Sequence, residues 1–578
     1  MIFQSPYGPV PDIPTVNYYT WLLERPDVAQ WPDYVAYVDG PTGRARRLRE
    51  FLARVESLAA ALAAPASKGG LDLRGDAGEM VGILSENNIE WPTLAFALLK
   101  IAVPIALFPA SSTDGEVTAL AKLSKMTHLF VSPKLLPQAL VVATAIQLPY
   151  DRIYIIQGHV PGRRSLDDFV AQARTDDLKI ATRPVRVNTI AYLMFSSGTS
   201  GLPKGIISSH QNLCYQSVQP VVMIKEIEKV YTPPPLNTPE GIPVGIGYAP
   251  LYHVMGFHLN IIRHFLQPQT VVMIPKWDTE LMFTLIAKYK VSFLSLVPAH
   301  VHMLTHSPSF KDADLSGLVQ IGGGAAYLPD DLRQKFVSRI RNAKWWIETF
   351  GMSETTGASL MAACPGTFGD RYKQVAGSLG ILVPGFEGRI VREDGTDADI
   401  GEPGELWLRG KANALGYYNN DKATRETFLP DGWMRTGDRF SVDEVGRFYY
   451  IERVKDTLKI SGVQVSPSEI EDALLEHAGG LIVDVAVAGV PGTRMVDEKV
   501  PRAWVVLSDL GRQKGEKAVI EILEVWIKER LSKQKWLRGG IQVIDEIPKS
   551  PTGKVLRRKL IEQTASPGGG EGALRAKL

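Results

Sequence analysis

The sequence predicts an α/β protein, and three observations carry that reading. Short apolar, β-branched runs such as RIYIIQ (152–157), TIAYLMFSS (189–197), VSFLSLVP (291–298) and LVQIGGG (318–324) alternate with helical patterns such as DDLRQKFVSRIR (330–341). Such alternation argues for layered strands and helices. From about 385 to 450 the chain becomes rich in Gly and Asp, with short strands (GELWLRG, GRFYYIE), which suits a small β-rich subdomain. Beyond 454 a strand–helix–strand pattern restarts and is long enough to fold as its own unit.

The elements follow in order. Residues 91–110 (WPTLAFALLKIAVPIALFPA) form the most membrane-like window, but Lys100, Pro104 and Pro109 interrupt it. A spanning helix needs about 20 largely uninterrupted apolar residues, so a buried helix leading into a buried strand is expected. A helix is expected from 467, with Ser466 as its cap, Pro467 in its first turn and Glu469 completing a capping box. The strands IVDVAVAGV and RAWVVL and a helix over roughly 516–533 complete that unit. The Gly-rich stretch from 565 reads as a flexible tail.

Composition excludes several classes. The chain has 578 residues, 45% hydrophobic and 22% charged, which is ordinary for a soluble globular protein. A net charge of +2 gives no argument for a nucleic-acid or anionic-membrane partner. Two cysteines, Cys214 and Cys364, support neither a disulfide framework nor a cysteine metal site and read as buried thiols. The N-terminal residues MIFQSPYGPVPDIPT lack the pattern of a secretory signal.

The most informative segment is YLMFSSGTSGLPKG (192–205). A strand-like run ends in hydroxyls (Ser196, Ser197, Thr199, Ser200), glycines (Gly198, Gly201, Gly205) and the cation Lys204. Polyphosphate needs converging N–H groups, hydroxyl donors and positive charge. Pro203 before Lys204 and Gly205 after it break the common P-loop pattern, so a helix-opening loop is not expected.

SSGTSGLPKG resembles the phosphate signature of the adenylate-forming superfamily: acyl-CoA synthetases, peptide-synthetase adenylation domains and beetle luciferases. Further resemblances follow in the family's order: FGMSET (350–355), GELWLRG (404–410), GWMRTGD (432–438), ERVKDTLKISGVQVSPSEIE (452–471) and PKSPTGK (548–554). Within the family, the pattern most resembles the coumarate–CoA ligase-like branch. The resemblance implies a large N-terminal domain (1–453) of two α/β subdomains plus a small β-barrel-like subdomain. A mobile α+β C-terminal lid (454–564) and a tail (565–578) follow.

It also implies ATP, Mg2+ and coenzyme A as reactants and cofactor, and acyl-AMP as intermediate. By resemblance Ser196, Ser197, Gly198, Thr199, Ser200, Gly201 and Lys204 hold phosphates, with Gly323, Phe350, Gly351, Ser353, Asp438 and Arg453 around AMP. Glu354, with Thr199, is the candidate magnesium ligand; a few carboxylates plus phosphate oxygens and water suffice for that ion. Asp438, an acceptor-only carboxylate, suits the ribose diol. Lys455 is the hinge. Lys554 serves adenylation, and Lys459, Ser461 and Gly462 serve the thiol step after the lid rotates. His253 in PLYHVMGF resembles a gate at the acyl site.

The implied acyl pocket draws on Met255, Gly256, Gly324, Gly357 and Ala358, which are apolar or small, with no charge among them for a second charge on the acid. The aromatic hydroxyl and Pro-Val pair of coumarate ligases are missing, so an aromatic, phenylalkyl or medium-chain acid is expected. Ala576-Lys577-Leu578 resembles a peroxisomal address and implies an import receptor as partner, with a cytoplasmic location as the alternative. Competing readings are a luciferase-like oxidative use of the adenylate, a non-catalytic acyl- or nucleotide-binding relative, and a carrier protein as thiol acceptor.

Overall fold

A computed structural model describes residues 1–196, 203–324, 328, 330–343, 345–453, 458–460, 463–492, 499–531, 533–550 and 555–565. It is a mixed α/β structure whose large N-terminal part is built on two extended sheets and whose smaller C-terminal part carries its own sheet.

The first sheet has seven strands in the spatial order Gly416–Tyr417, Lys204–Ser209, Ile190–Ser196, Ile105–Phe108, Val81–Leu84, His128–Val131, Ile153–Ile155. From Ile190–Ser196 to Ile153–Ile155 the pairing is parallel. The runs VGIL, IALF and HLFV are buried at every position, as expected of parallel strands covered on both faces. The membrane-like window resolves into the wholly buried helix Trp91–Lys100 and the strand Ile105–Phe108. Among the described residues, no helix is long and apolar enough to cross a membrane.

The second sheet has a parallel half, in which Gln320–Gly324 lies between Phe293–Leu296 and Trp346–Met352, flanked by Val244–Gly247, Thr270–Met273 and Val35–Asp39. Beyond Trp346–Met352 it turns antiparallel through Gly357–Met361 and Ser378–Leu382. It then continues through Phe448–Arg453, Met434–Val442, Gly404–Gly410 and Phe386–Val391. The β-rich subdomain read from composition thus hydrogen-bonds directly onto the α/β body. Both cysteines are buried, and burial pushes the Cys364 thiol up to about 11.

The C-terminal part contains the hairpin Leu458–Ile460 with Val463–Val465, the helices Pro467–Leu475 and Glu516–Arg530, and the sheet Ile482–Pro491, Lys499–Leu507, Ile541–Val543. Its helices and strands share one apolar core around Ile470, Leu474, Val487, Val505 and Leu523. The helix at 467 starts as expected, but the predicted capping box does not form. Ser466 makes no side-chain cap bond; its hydroxyl pairs with Ser468 at 2.7 Å, and Glu469 is drawn away to Lys535. A strong opposite charge outbids a weak local cap.

Asn87 joins the two N-terminal sheets. It follows the strand Val81–Leu84, is buried, and reaches across to the second sheet. Its amide donates to the carbonyls of Gly247 (3.2 Å) and Ala249 (3.0 Å), and its oxygen accepts from the Leu251 N–H (2.9 Å). These bonds fix the chain that leads from Val244–Gly247 to His253. Asn87→Leu leaves two carbonyls and one N–H unpaired in the interior, and we expect a loss of about 2 kcal/mol or more. A denaturant midpoint equal to that of the parent chain would remove Asn87 from this role.

Candidate active site

The described parts of the phosphate segment belong to two paired strands. Ile190–Ser196 is followed in antiparallel register by Lys204–Ser209, and Ser196 opposite Lys204 is the last pair. This agrees with the expectation that the segment does not open a helix. Ser197, Gly198, Thr199, Ser200 and Gly201 lie outside the described residues. The hairpin is anchored by buried Leu193 and Met194 and by Phe195, whose ring stacks on Phe108 at 5.5 Å. Ser196 and Lys204 are left half-buried at the sheet's end.

The Lys204 ammonium lies 4.4 Å from the ring centre of Tyr417, a favourable cation–π placement. Tyr417 sits on the edge strand Gly416–Tyr417, antiparallel to Lys204–Ser209. Its hydroxyl donates to Glu354 Oε1 at 3.0 Å. Burial first, then the charge of Glu354, raises the Tyr417 pKa far above the ordinary phenol value, so it remains a donor. Glu354 is buried on the short turn Ser353–Thr355, and its carbonyl accepts from the Ala414 N–H at 2.8 Å. Ser353 Oγ lies 3.5 Å from Met194 Sδ, which brings that turn against the hairpin. Lys204, Tyr417, Glu354 and Ser353 therefore form one cluster. Among the described residues no three His, Cys, Asp or Glu side chains form a metal-binding group. A single carboxylate with one oxygen fixed by Tyr417 fits a magnesium ion whose other ligands are phosphate oxygens and water.

Asp438 lies on Met434–Val442 directly opposite Arg453, and Arg453 Nε is 3.2 Å from its Oδ1. Asp438 and Phe440 alternate on the buried face of that strand. Phe350 packs edge-on against Phe440 at 5.0 Å, so Phe350 and Asp438 belong to one neighbourhood. Gly351 pairs with Ala358 at a register shift; a Cβ there would lie 2.2 Å from the Gly357 carbonyl oxygen. Gly357 has φ +143°, and a Cβ on it would meet the Gln216 amide nitrogen at 2.3 Å. Gly323 pairs with Glu348 and Gly324 with Thr349. Burial pushes the Glu348 carboxyl up to about 7.

His253 precedes the helix Val254–Phe257, which carries Met255 and Gly256 and continues as a wider turn through His258–Ile262. Arg263 follows. Its Nη2 donates to the backbone carbonyl (3.4 Å) and side-chain oxygen of Gln216, and Gln216 in turn donates to the Ala358 carbonyl at 3.2 Å. Burial lowers the Arg263 pKa to about 10, with no carboxylate opposing the shift. Sequence reasoning missed Arg263, Gln216 and Tyr417. The one visible signal was an arginine inside the apolar run 254–266; Tyr417 in GYYNN looked like any core aromatic.

In the C-terminal part, Lys459 lies on Leu458–Ile460, opposite Gln464. Ser461, Gly462, Lys455 and Lys554 lie outside the described residues. Lys549 and Val555 form an isolated antiparallel bridge.

Fold and site together define a nucleotide-dependent enzyme with a two-sheet body and a separate C-terminal unit. The family model described as AMP-binding enzyme matches residues 25–418, and that described as AMP-binding enzyme C-terminal domain matches 469–554. The chain belongs to the AMP-binding enzyme family. It is 28% identical to the probable CoA ligase CCL5 of Humulus lupulus, over 98% of this chain and 96% of that one. It is also 28% identical to the peroxisomal OPC-8:0-CoA ligase 1 of Arabidopsis thaliana, over 96% and 95%. The crystal structure of the anthranilate CoA ligase AuaEII with anthranoyl-AMP superposes with a TM-score of 0.79 at 23% identity, covering 96% of this chain and 99% of that one, a likeness of fold. The expected fold class and the expected enzyme class, the AMP-forming acyl-CoA ligases, both stand.

Two outcomes test the geometry. Tyr417→Phe keeps the ring under Lys204 but frees Glu354, and kcat/KM for ATP should fall on the order of tenfold; an unchanged value would detach Tyr417 from the site. The raised Glu348 pKa means the folded chain holds a proton the unfolded chain releases, so stability declines as pH rises from the ordinary carboxylate value of 4.5 through about 7. Glu348→Gln should therefore stabilise above pH 7, by at most about 3 kcal/mol, and give nothing below pH 4.5. Thermal melts across pH check this, and an equal gain at both ends would refute it.

Proposed function

We propose that the chain joins a carboxylic acid to coenzyme A in two steps. In the first, a carboxylate oxygen attacks the α-phosphorus of ATP. The new P–O bond forms as the bond to pyrophosphate breaks, giving acyl-AMP. In the second, the sulfur of coenzyme A attacks the acyl carbon, AMP leaves with the bonding electron pair, and the thiol proton is released. The observation that carries this reading is the cluster of Lys204, Tyr417, Glu354 and Ser353 at the end of the phosphate hairpin.

Two anions must meet in the first step, so fixed cations and dipoles dominate the rate. Lys204, with Ser196, Ser197, Gly198, Thr199, Ser200 and Gly201, holds the phosphates in this reading. Magnesium, when bound at Glu354 and Thr199, supplies further charge to the phosphate oxygens. Asp438 takes the ribose hydroxyls while Arg453 fixes its carboxylate; Phe350, Gly351 and Gly323 border the nucleotide. Residues 454–564 act as a lid hinged at Lys455 that presents Lys554 for the first step and Lys459, Ser461 and Gly462 for the second. His253 separates the two steps at the acyl site. Met255, Gly256, Gly324, Gly357 and Ala358 line that site for an aromatic, phenylalkyl or medium-chain acid. A peroxisomal location, through Ala576-Lys577-Leu578, goes with this proposal, and the Arabidopsis relative named as peroxisomal supports it.

The test is to incubate the full chain with ATP, magnesium, coenzyme A and a panel of acids, and to follow AMP and thioester by mass. Both products are expected; AMP without thioester would sink the ligase half. Lys554→Ala should cripple adenylation on the order of 100-fold or more, in line with loss of a transition-state cation, while thioester formation from supplied acyl-AMP persists. Equal loss in both steps would refute the two-orientation lid.

A further inference from the structure

Arg263 is an interior cation without a counter-ion. Of its nitrogens, Nη2 has acceptors, both on Gln216, whereas Nε is sealed from solvent with no acceptor. No acidic side chain pairs with it among the described residues. Its nearest titratable neighbours do not compensate: Tyr18 is a buried phenol bonded to the Ile262 carbonyl and Ser217, and burial together with Arg263 holds His258 neutral. Its Nε is shut off from solvent, while the residue as a whole is half-buried. An uncompensated interior charge is costly and is retained where something pairs with it.

Its position says what that something is. Arg263 ends the helical segment that begins after His253. Nine residues, Val254–Ile262, separate the two. Through Gln216 it is tied to the Gly357–Ala358 wall. In the proposed reading His253 sits at the reacting end of the acyl site, and Arg263 lies further along the same helical segment.

We infer that Arg263, oriented by Gln216, is a specificity-determining residue that pairs with a carboxylate at the distal end of the acid, so that the substrate is a medium-chain or aryl-bodied dicarboxylic acid activated at one end. This deepens the proposed ligase reading and rests on it. One carboxylate reacts at ATP; the other, on the guanidinium, sets the register of the chain. A monocarboxylate of equal length leaves the cation unpaired and buries a methyl against it. Short acids span too little of the site to reach it.

The experiment measures acid-dependent exchange of pyrophosphate into ATP by the full chain with magnesium, comparing octanoate with octanedioate and 3-phenylpropionate with its para-carboxy derivative. The dicarboxylate of each pair should be preferred in kcat/KM on the order of 10- to 100-fold, as a desolvated charge pair provides. Arg263→Leu should invert that preference, and so should Gln216→Glu, which gives the guanidinium an internal counter-ion; Arg263→Lys should retain part of it. Monocarboxylates used as well as dicarboxylates by the parent chain would overturn the inference and leave the ligase reading intact. Exchange with none of the acids would overturn both. If Arg263→Leu fails to fold by thermal melt, the parent chain and Gln216→Glu decide the matter.

Discussion

One tyrosine hydroxyl holds the nucleotide end of the site together. Tyr417 donates to Glu354 while its ring faces the Lys204 ammonium. Three segments distant in sequence meet there: the return strand of the phosphate hairpin, the turn after the central strand of the second sheet, and a short edge strand between Gly404–Gly410 and Met434–Val442. The lysine meets the aromatic face and the glutamate accepts from the phenol, so one side chain engages both. The arrangement also explains why the edge strand has two residues: it needs to deliver a single side chain.

Much of the fold was legible because local pattern and tertiary demand agree. Buried parallel strands must be apolar on both faces, so VGIL, IALF and HLFV announce themselves. The phosphate run could be separated from a P-loop by Pro203 alone, although its hairpin form depends on pairing across a seven-residue gap that composition does not encode. The capping box at Ser466 failed for the opposite reason. Its signature is local, but the partner that captured Glu469 is Lys535, 66 positions away. Tyr417 and Arg263 were invisible on the same ground, since their roles consist wholly of long-range partners.

Asn87 and Gln216 perform comparable work, one before His253 and one beside Arg263. Each is a neutral amide whose donor and acceptor face different segments, which lets it fix geometry without adding charge. Asn87 secures the chain entering His253; Gln216 spans from Arg263 to the Gly357–Ala358 wall. A carboxylate at position 216 would stabilise Arg263 far better by Coulomb attraction. The chain has an amide instead, which orients the guanidinium but leaves its charge unspent.

That choice separates stability from specificity. A protein selected for stability alone would pair the interior guanidinium or replace it with an apolar residue of similar volume, a change that is often neutral or favourable. An unpaired cation beside a neutral amide lowers the stability of the empty protein, and a ligand that supplies the missing anion recovers that loss as binding free energy. At Arg263 the positive charge is positioned by a neutral amide, and in the proposed reading the anion that completes it comes from the substrate.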